Sequence, residues 1–159
     1  MSPNNYGHPS STVILYERLE VSIIELETKR SLKIIWTGTH NKEEAAYPFL
    51  LPKTSNIHDL AEQLAKKVTL APEGTGKIRI FEIISNGKAQ KEFTGAEMIG
   101  NIPEQVELFA EEIPHEELEA DELDKTINVF HFSKDVTRTH GVPFKFVVRP
   151  VSAFRSTHF

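Results

Sequence analysis

The 159-residue chain has no cysteine, which excludes disulfides, thiolate metal ligands and a cysteine nucleophile. Long hydrophobic runs are also missing, and none approaches the roughly 18 apolar residues that a membrane-spanning helix needs. The polar start, with Asn4, Asn5, His8 and Pro9, has no apolar stretch of the kind a secretory signal carries. A basic surplus is absent as well. Eighteen basic against 23 acidic residues leave a net charge of -5, the opposite of a nucleic-acid binder's footprint. What is present, 39% hydrophobic and 26% charged residues, is enough for one modest core.

Charge is distributed unevenly. From Glu111 to Lys125 there are eight acids and one base, a local -7, so the rest of the chain carries +2. Thr126 to Phe159 holds five bases and one acid. The expectation is an acidic linker over 113–125, solvated and extended by self-repulsion, ahead of a basic C-terminal piece.

Residues 1–12 are rich in Asn, Ser, Pro and Gly and are expected to be a disordered lead-in. Residues 13–30 form an extension: a strand at Thr12–Tyr16, then a short helix over Ile23–Lys29, where Ser22 and Glu25 have capping-box spacing. Leu32–Trp36 and Ala45–Leu51 read as two strands. The strongest helix follows, with Thr54, Ser55 or Asn56 as its cap and Ile57, Leu60, Leu64 and Val68 at helical spacing. Strands are expected at Lys77–Ile84 and Lys88–Phe93 around an Asn86-Gly87 turn. A helical turn over Ala96–Ile99 and a last strand, Val106–Glu111, close the unit. Strand, strand, helix, strand, short strand, turn, strand over residues 31–112 is the order of an α+β ubiquitin-like β-grasp, a mixed sheet over one main helix. Its expected core is Leu32, Ile34, Ile57, Leu60, Leu64, Ile78, Ile80, Val106 and Leu108. Residues 126–150 add a C-terminal β-hairpin, which alone is marginal in water. Residues 151–159 are a tail.

Several stretches in this order resemble the C-terminal ubiquitin-like region of deubiquitinases of the ubiquitin-specific protease 7 (HAUSP) type. They are Leu15-Tyr16-Glu17, Arg30-Ser31-Leu32-Lys33 with Trp36, Lys77-Ile78-Arg79, Glu111-Glu112-Ile113-Pro114 and His131-Phe132-Ser133-Lys134-Asp135 with Gly141-Val142-Pro143-Phe144. The resemblance runs from about Val13 to Pro150 and is closest to the penultimate ubiquitin-like domain plus the opening hairpin of an incomplete last one. Val151–Phe159 looks unrelated, as in a fragment or a truncated gene product. The resemblance implies a non-catalytic regulatory or protein-binding module in the ubiquitin pathway, in the nucleus or cytoplasm. Its implied partners are a deubiquitinase catalytic domain or the proteins such an enzyme recruits. An independent β-grasp adaptor that binds an unrelated protein is the rival reading.

No catalytic, cofactor or metal site is expected. The elbow Gly-x-Ser-x-Gly is absent, and no Ser-x-x-Lys nucleophile motif is expected. Gly74-Thr75-Gly76-Lys77 hints at a phosphate loop, but Ala71 and Ile78 stand where the motif needs glycine and a hydroxyl, so it reads as a turn. The seven histidines include no i, i+4 pair for a helical zinc site, and the paired acids lack calcium-loop spacing. The candidate protein-binding surface is Arg79 and Phe81, where alternation along the strand leaves one or the other open on the outer side unless both serve only the core, with His131 as a contact to a neighbouring module. No nucleic acid or membrane partner is expected. A hairpin left without a partner would expose Phe130, Phe132, Phe144 and Phe146 in part and favour self-association.

Overall fold

The computed structural model describes residues 22–38 and 45–151, together with Tyr16, Arg18 and Glu43. The expected lead-in, the Thr12–Tyr16 strand apart from Tyr16, and the tail beyond Val151 lie outside the described residues.

Ser22 and Glu25 cap helix α1 (Ile23–Thr28) reciprocally. The Ser22 hydroxyl accepts from the Glu25 amide at 3.2 Å, and the Ser22 amide donates to the Glu25 carboxylate at 3.3 Å. Lys29 is extended and ends the helix one residue earlier than expected, so the chain passes directly into β1 (Lys29–Trp36). β1 pairs antiparallel with β2 (Ala45–Pro52), from Lys29 opposite Pro52 to Trp36 opposite Ala45.

Helix α2 (Ile57–Ala65) is capped by Asn56, whose side chain accepts from the Asp59 amide at 2.9 Å while Asp59 returns the bond. The helix stops before Val68, leaving Lys66 and Lys67 in the turn beyond it. There the Lys67 ammonium lies 4.3 Å from the centre of the Phe49 ring. β3 (Ile78–Ile84) and β4 (Ala89–Glu92) are antiparallel, with Ile84 opposite Ala89. The Asn86-Gly87 turn is therefore the centre of a four-residue loop, Ser85–Lys88. Ser85, Asn86 and Gly87 all have positive φ, 54°, 56° and 84°, the left-handed region that Asn and Gly enter most easily.

A 3₁₀ turn over Ile99–Asn101 replaces the helical turn expected at Ala96–Ile99. Arg30 holds that turn by donating to the carbonyls of Ile99, at 2.8 Å, and Ile102. β5 (Leu108–Glu112) begins two residues later than expected, because its parallel pairing with β1 starts only at Ile34 opposite Leu108.

The five strands run in the order β2-β1-β5-β3-β4, with β1 and β5 parallel in the centre. This is the mixed sheet of a β-grasp fold. The side facing α2 carries the main core. Leu32, Ile34, Ile57, Leu60, Leu64, Ile80 and Leu108 are buried there, with Ile78 and Val106 partly buried against them. Trp36, Phe49, Phe93, Ile99 and Ile102 complete it. Burying a Leu or Ile side chain contributes about 1.5–3 kcal/mol, so Leu60 and Leu64, both fully buried, anchor α2. Beyond the sheet come a short helix, α3 (His115–Leu118), and a two-stranded hairpin, β6 (Lys125–Ser133) with β7 (Asp135–Val148).

Candidate protein-binding surface

Alternation along β3 sends Ile78 and Ile80 toward α2, and Arg79 and Phe81 to the opposite side. That side is not open. Arg79 is 3% exposed and Phe81 0%, which corrects the expectation that they offer an exposed surface. The physical reason is the hairpin, which docks across the outer face of the sheet and the β4 edge.

A bulge in β7 makes this docking possible. Val129 pairs with Phe144 and His131 with His140, so a single β6 residue faces Gly141, Val142 and Pro143. Gly141 supplies φ of 70°, and Pro143 stands where no ladder amide is required. Thus re-aimed, Val142 enters a second apolar cluster with Ile35, Phe81 and Phe109, flanked by Ile83. The rings of Phe81 and Phe109 stack at 5.9 Å.

A polar clamp lies beside that cluster. The Arg79 Nε donates to Glu111 at 2.6 Å, and its two terminal nitrogens grip Glu117 of α3 at 2.5 and 2.7 Å. Gln90 of β4 donates to the same Glu111 oxygen at 3.0 Å and to the Pro143 carbonyl at 2.7 Å. Burial disfavours the charged guanidinium, but the hydrogen bonds and charges of Glu117 and Glu111 outweigh it and hold Arg79 above the ordinary arginine range. Further ties run from the Gln90 amide to Asn128 at 3.1 Å, from Lys145 to Glu92 at 2.8 Å, and from the Thr139 hydroxyl to the Asn86 carbonyl at 2.9 Å. The hairpin is thus neither lone nor without a partner.

The acidic stretch is likewise not a solvated, extended linker throughout. Glu111 and Glu117 neutralise Arg79. Glu112 accepts from the amides of Ala71 at 3.0 Å and Gly76 at 2.8 Å. The Gly74-Thr75-Gly76 segment therefore does wrap an anion, and the anion is the chain's own carboxylate. Sequence reasoning missed these acids. The signal for them was the apolar content of the outer face, where Ile35, Phe81, Ile83 and Phe109 share a side and imply a sheet covered twice.

His131 lies apart from Arg79 and Phe81. Asn128 and Lys145 bond toward the β-grasp unit, so their pleat neighbours Ile127, Val129, Phe144 and Phe146 belong to the opposite face of the hairpin. His131 is 5.8 Å from the Phe144 ring on that face and is exposed. Phe132 and Phe146 are 51% and 54% exposed, while Phe130 and Phe144 are partly buried. A cleft of about 330 Å³ opens between the Ala71–Thr75 loop, Ile113–Glu116 and Phe144-Lys145. The Arg79, Glu111 and Glu112 side chains on its wall already satisfy one another or the chain.

Contrary to the expectation of no Ser-x-x-Lys, Ser85 and Lys88 stand at that spacing, but they flank a hairpin turn, and the Lys88 ammonium lies 5.5 Å from the Phe130 ring. A nucleophile of that type works with further Ser-Asp-Asn and Lys-Thr-Gly motifs, and the chain has neither. Among the described residues, no group of three or more His, Asp or Glu could hold a metal ion. No helix among them is long and apolar enough to cross a membrane.

The chain is similar to known proteins over most of its length. The chain is 28% identical over 148 residues to ubiquitin carboxyl-terminal hydrolase 15 of Schizosaccharomyces pombe, covering 92% of this chain and 13% of that protein. It is 32% identical over 145 residues to ubiquitin C-terminal hydrolase 13 of Arabidopsis thaliana, covering 87% of this chain and 13% of the relative. Ubiquitin carboxyl-terminal hydrolase 7 of Drosophila melanogaster is 29% identical over 156 residues, with coverage of 88% and 13%. The chain therefore spans about an eighth of the length of these relatives. The match to the family described as "Ubiquitin-specific protease C-terminal" covers residues 13–158, so the likeness continues past Pro150, where the sequence pattern was expected to end it. With the β-grasp sheet and the docked hairpin both inside that span, the chain belongs to the ubiquitin-specific protease C-terminal family.

Proposed function

We propose that the chain is a non-catalytic regulatory and protein-binding module of a ubiquitin-specific protease, acting in the nucleus or cytoplasm through its surfaces and without a cofactor. The observation that carries this reading is the combination of a cysteine-free chain with a family match to the C-terminal part of enzymes about eight times its length. The partner is the catalytic domain of a parent-type enzyme or a protein which that enzyme recruits. Because the outer face of the β-grasp sheet is occupied by the hairpin, docking uses the far face of the hairpin, around Ile127, His131 and Phe146, rather than Arg79 and Phe81. In a longer chain the same hairpin opens a following ubiquitin-like unit.

The test is to add the purified chain to an isolated catalytic domain of a ubiquitin-specific protease 7 type enzyme. Binding and the rate of hydrolysis of a fluorogenic ubiquitin substrate are both measured. A saturable change in rate, weakened by Phe146→Ser, supports the role. Neither binding nor rate change at high micromolar chain would refute regulation of that catalytic domain.

A further inference from the structure

We propose that His131 and His140 form a cross-strand chelate for a divalent late-transition cation of the zinc type. The two residues are direct register partners in the β6–β7 ladder, which sets their Cβ atoms about 4.5–5.5 Å apart. Their rings lie 5.8 Å apart and within 17° of parallel. Both are exposed, so their ring nitrogens are open to a hydrated ion. Neither enters an ion pair among the described residues, unlike His58, which lies 3.4 Å from Glu62. The Nε2 of His115 is also engaged, 2.7 Å from the Glu73 carbonyl.

Position and chemistry agree. The pair sits beside the β7 bulge, whose backbone is fixed by Val142 in the second apolar cluster. Phe144 lies beside the His131 ring at 5.8 Å. Imidazole suits Zn²⁺, Cu²⁺ and Ni²⁺. Bonds of about 2.0–2.1 Å put two imidazole nitrogens on a tetrahedral ion about 3.4 Å apart, so binding turns both side chains out of their stacked arrangement to face one ion. Water fills the remaining positions, so the site is an open clip that joins the strands near the hairpin turn.

Zn²⁺ alone is the probe. Zinc is titrated into the 159-residue chain at mildly alkaline pH, and the side-chain ¹⁵N signals of its histidines are followed by NMR. His131 and His140 are expected to shift together and to saturate at one equivalent, with slower amide exchange in β6 and β7. His131→Ala and His140→Ala each leave one ligand and weaken binding by at least about tenfold, the loss of effective concentration when a chelate becomes a single contact. His58→Ala leaves the affinity unchanged. Because both rings are exposed, the variants keep the hairpin, which its amide shifts verify. Affinity within threefold of the parent in both hairpin variants, or zinc perturbing His58 as strongly as the pair, would overturn the assignment.

Discussion

Replacing Arg79 by methionine removes the cation that Glu111 and Glu117 share. The two acids then fare differently. Glu117 lies on α3 and retains partial access to water, so releasing it costs little. Glu111 is 4% exposed and keeps only the Gln90 amide nitrogen as a side-chain donor. Removing one member of a buried pair costs about 3–5 kcal/mol. With a urea slope of about 2 kcal/mol/M, the unfolding midpoint should fall by about 2 M. The companion variant Arg79→Met/Glu111→Leu removes the stranded charge and should recover most of that loss, since an apolar replacement of a buried pair is commonly neutral or better. Urea unfolding of the parent, both single variants and the double variant closes a thermodynamic cycle. A loss below about 1 kcal/mol for Arg79→Met, or a double variant no more stable than Arg79→Met, would refute the clamp as an electrostatic unit.

Gly87→Ala should destabilise the chain by more than about 1 kcal/mol, because φ is positive there and a Cβ would strike the Thr139 hydroxyl. Adding Thr139→Ala should recover the steric part and leave the backbone part, as thermal unfolding of the pair would show. Glu25 is held below the ordinary carboxylate range, first by its hydrogen bond with Lys29 and then by that with the Ser22 amide. Its contribution to α1 is therefore complete above the usual glutamate value and lost as pH falls through the lowered one. Protection of the Ile23–Thr28 amides, taken relative to the intrinsic exchange rate at each pH, should fall over that acid window, and Glu25→Gln should abolish the dependence.

Local signals served well wherever one face of an element met one core. Helical spacing located α2, and reciprocal capping by Ser22 with Glu25 was visible in the letters alone. The β3–β4 pairing followed from the turn at Asn86-Gly87, and the rest of the sheet from the succession of strand and helix patterns. Boundaries failed where a partner decides them. β1 begins at Lys29 because β2 reaches Pro52 to pair with it, and β5 begins at Leu108 because β1 is met only there. The candidate surface failed for a deeper reason. Alternation in β3 correctly put Arg79 and Phe81 on the side away from α2, but periodicity reports which residues share a side and not what covers it. The cover comes from residues about 60 positions later, brought there by a bulge that has no local signature beyond Gly141 and Pro143.

That bulge also shapes how the chain must assemble. A one-residue slip between β6 and β7 would turn Val142 outward and pull the Pro143 carbonyl away from Gln90. The contacts of Val142 and of the Pro143 carbonyl with the sheet therefore favour this alignment of the hairpin over its neighbours. A hairpin in another alignment would lose these contacts and leave its apolar side chains and edges open to pairing with another molecule.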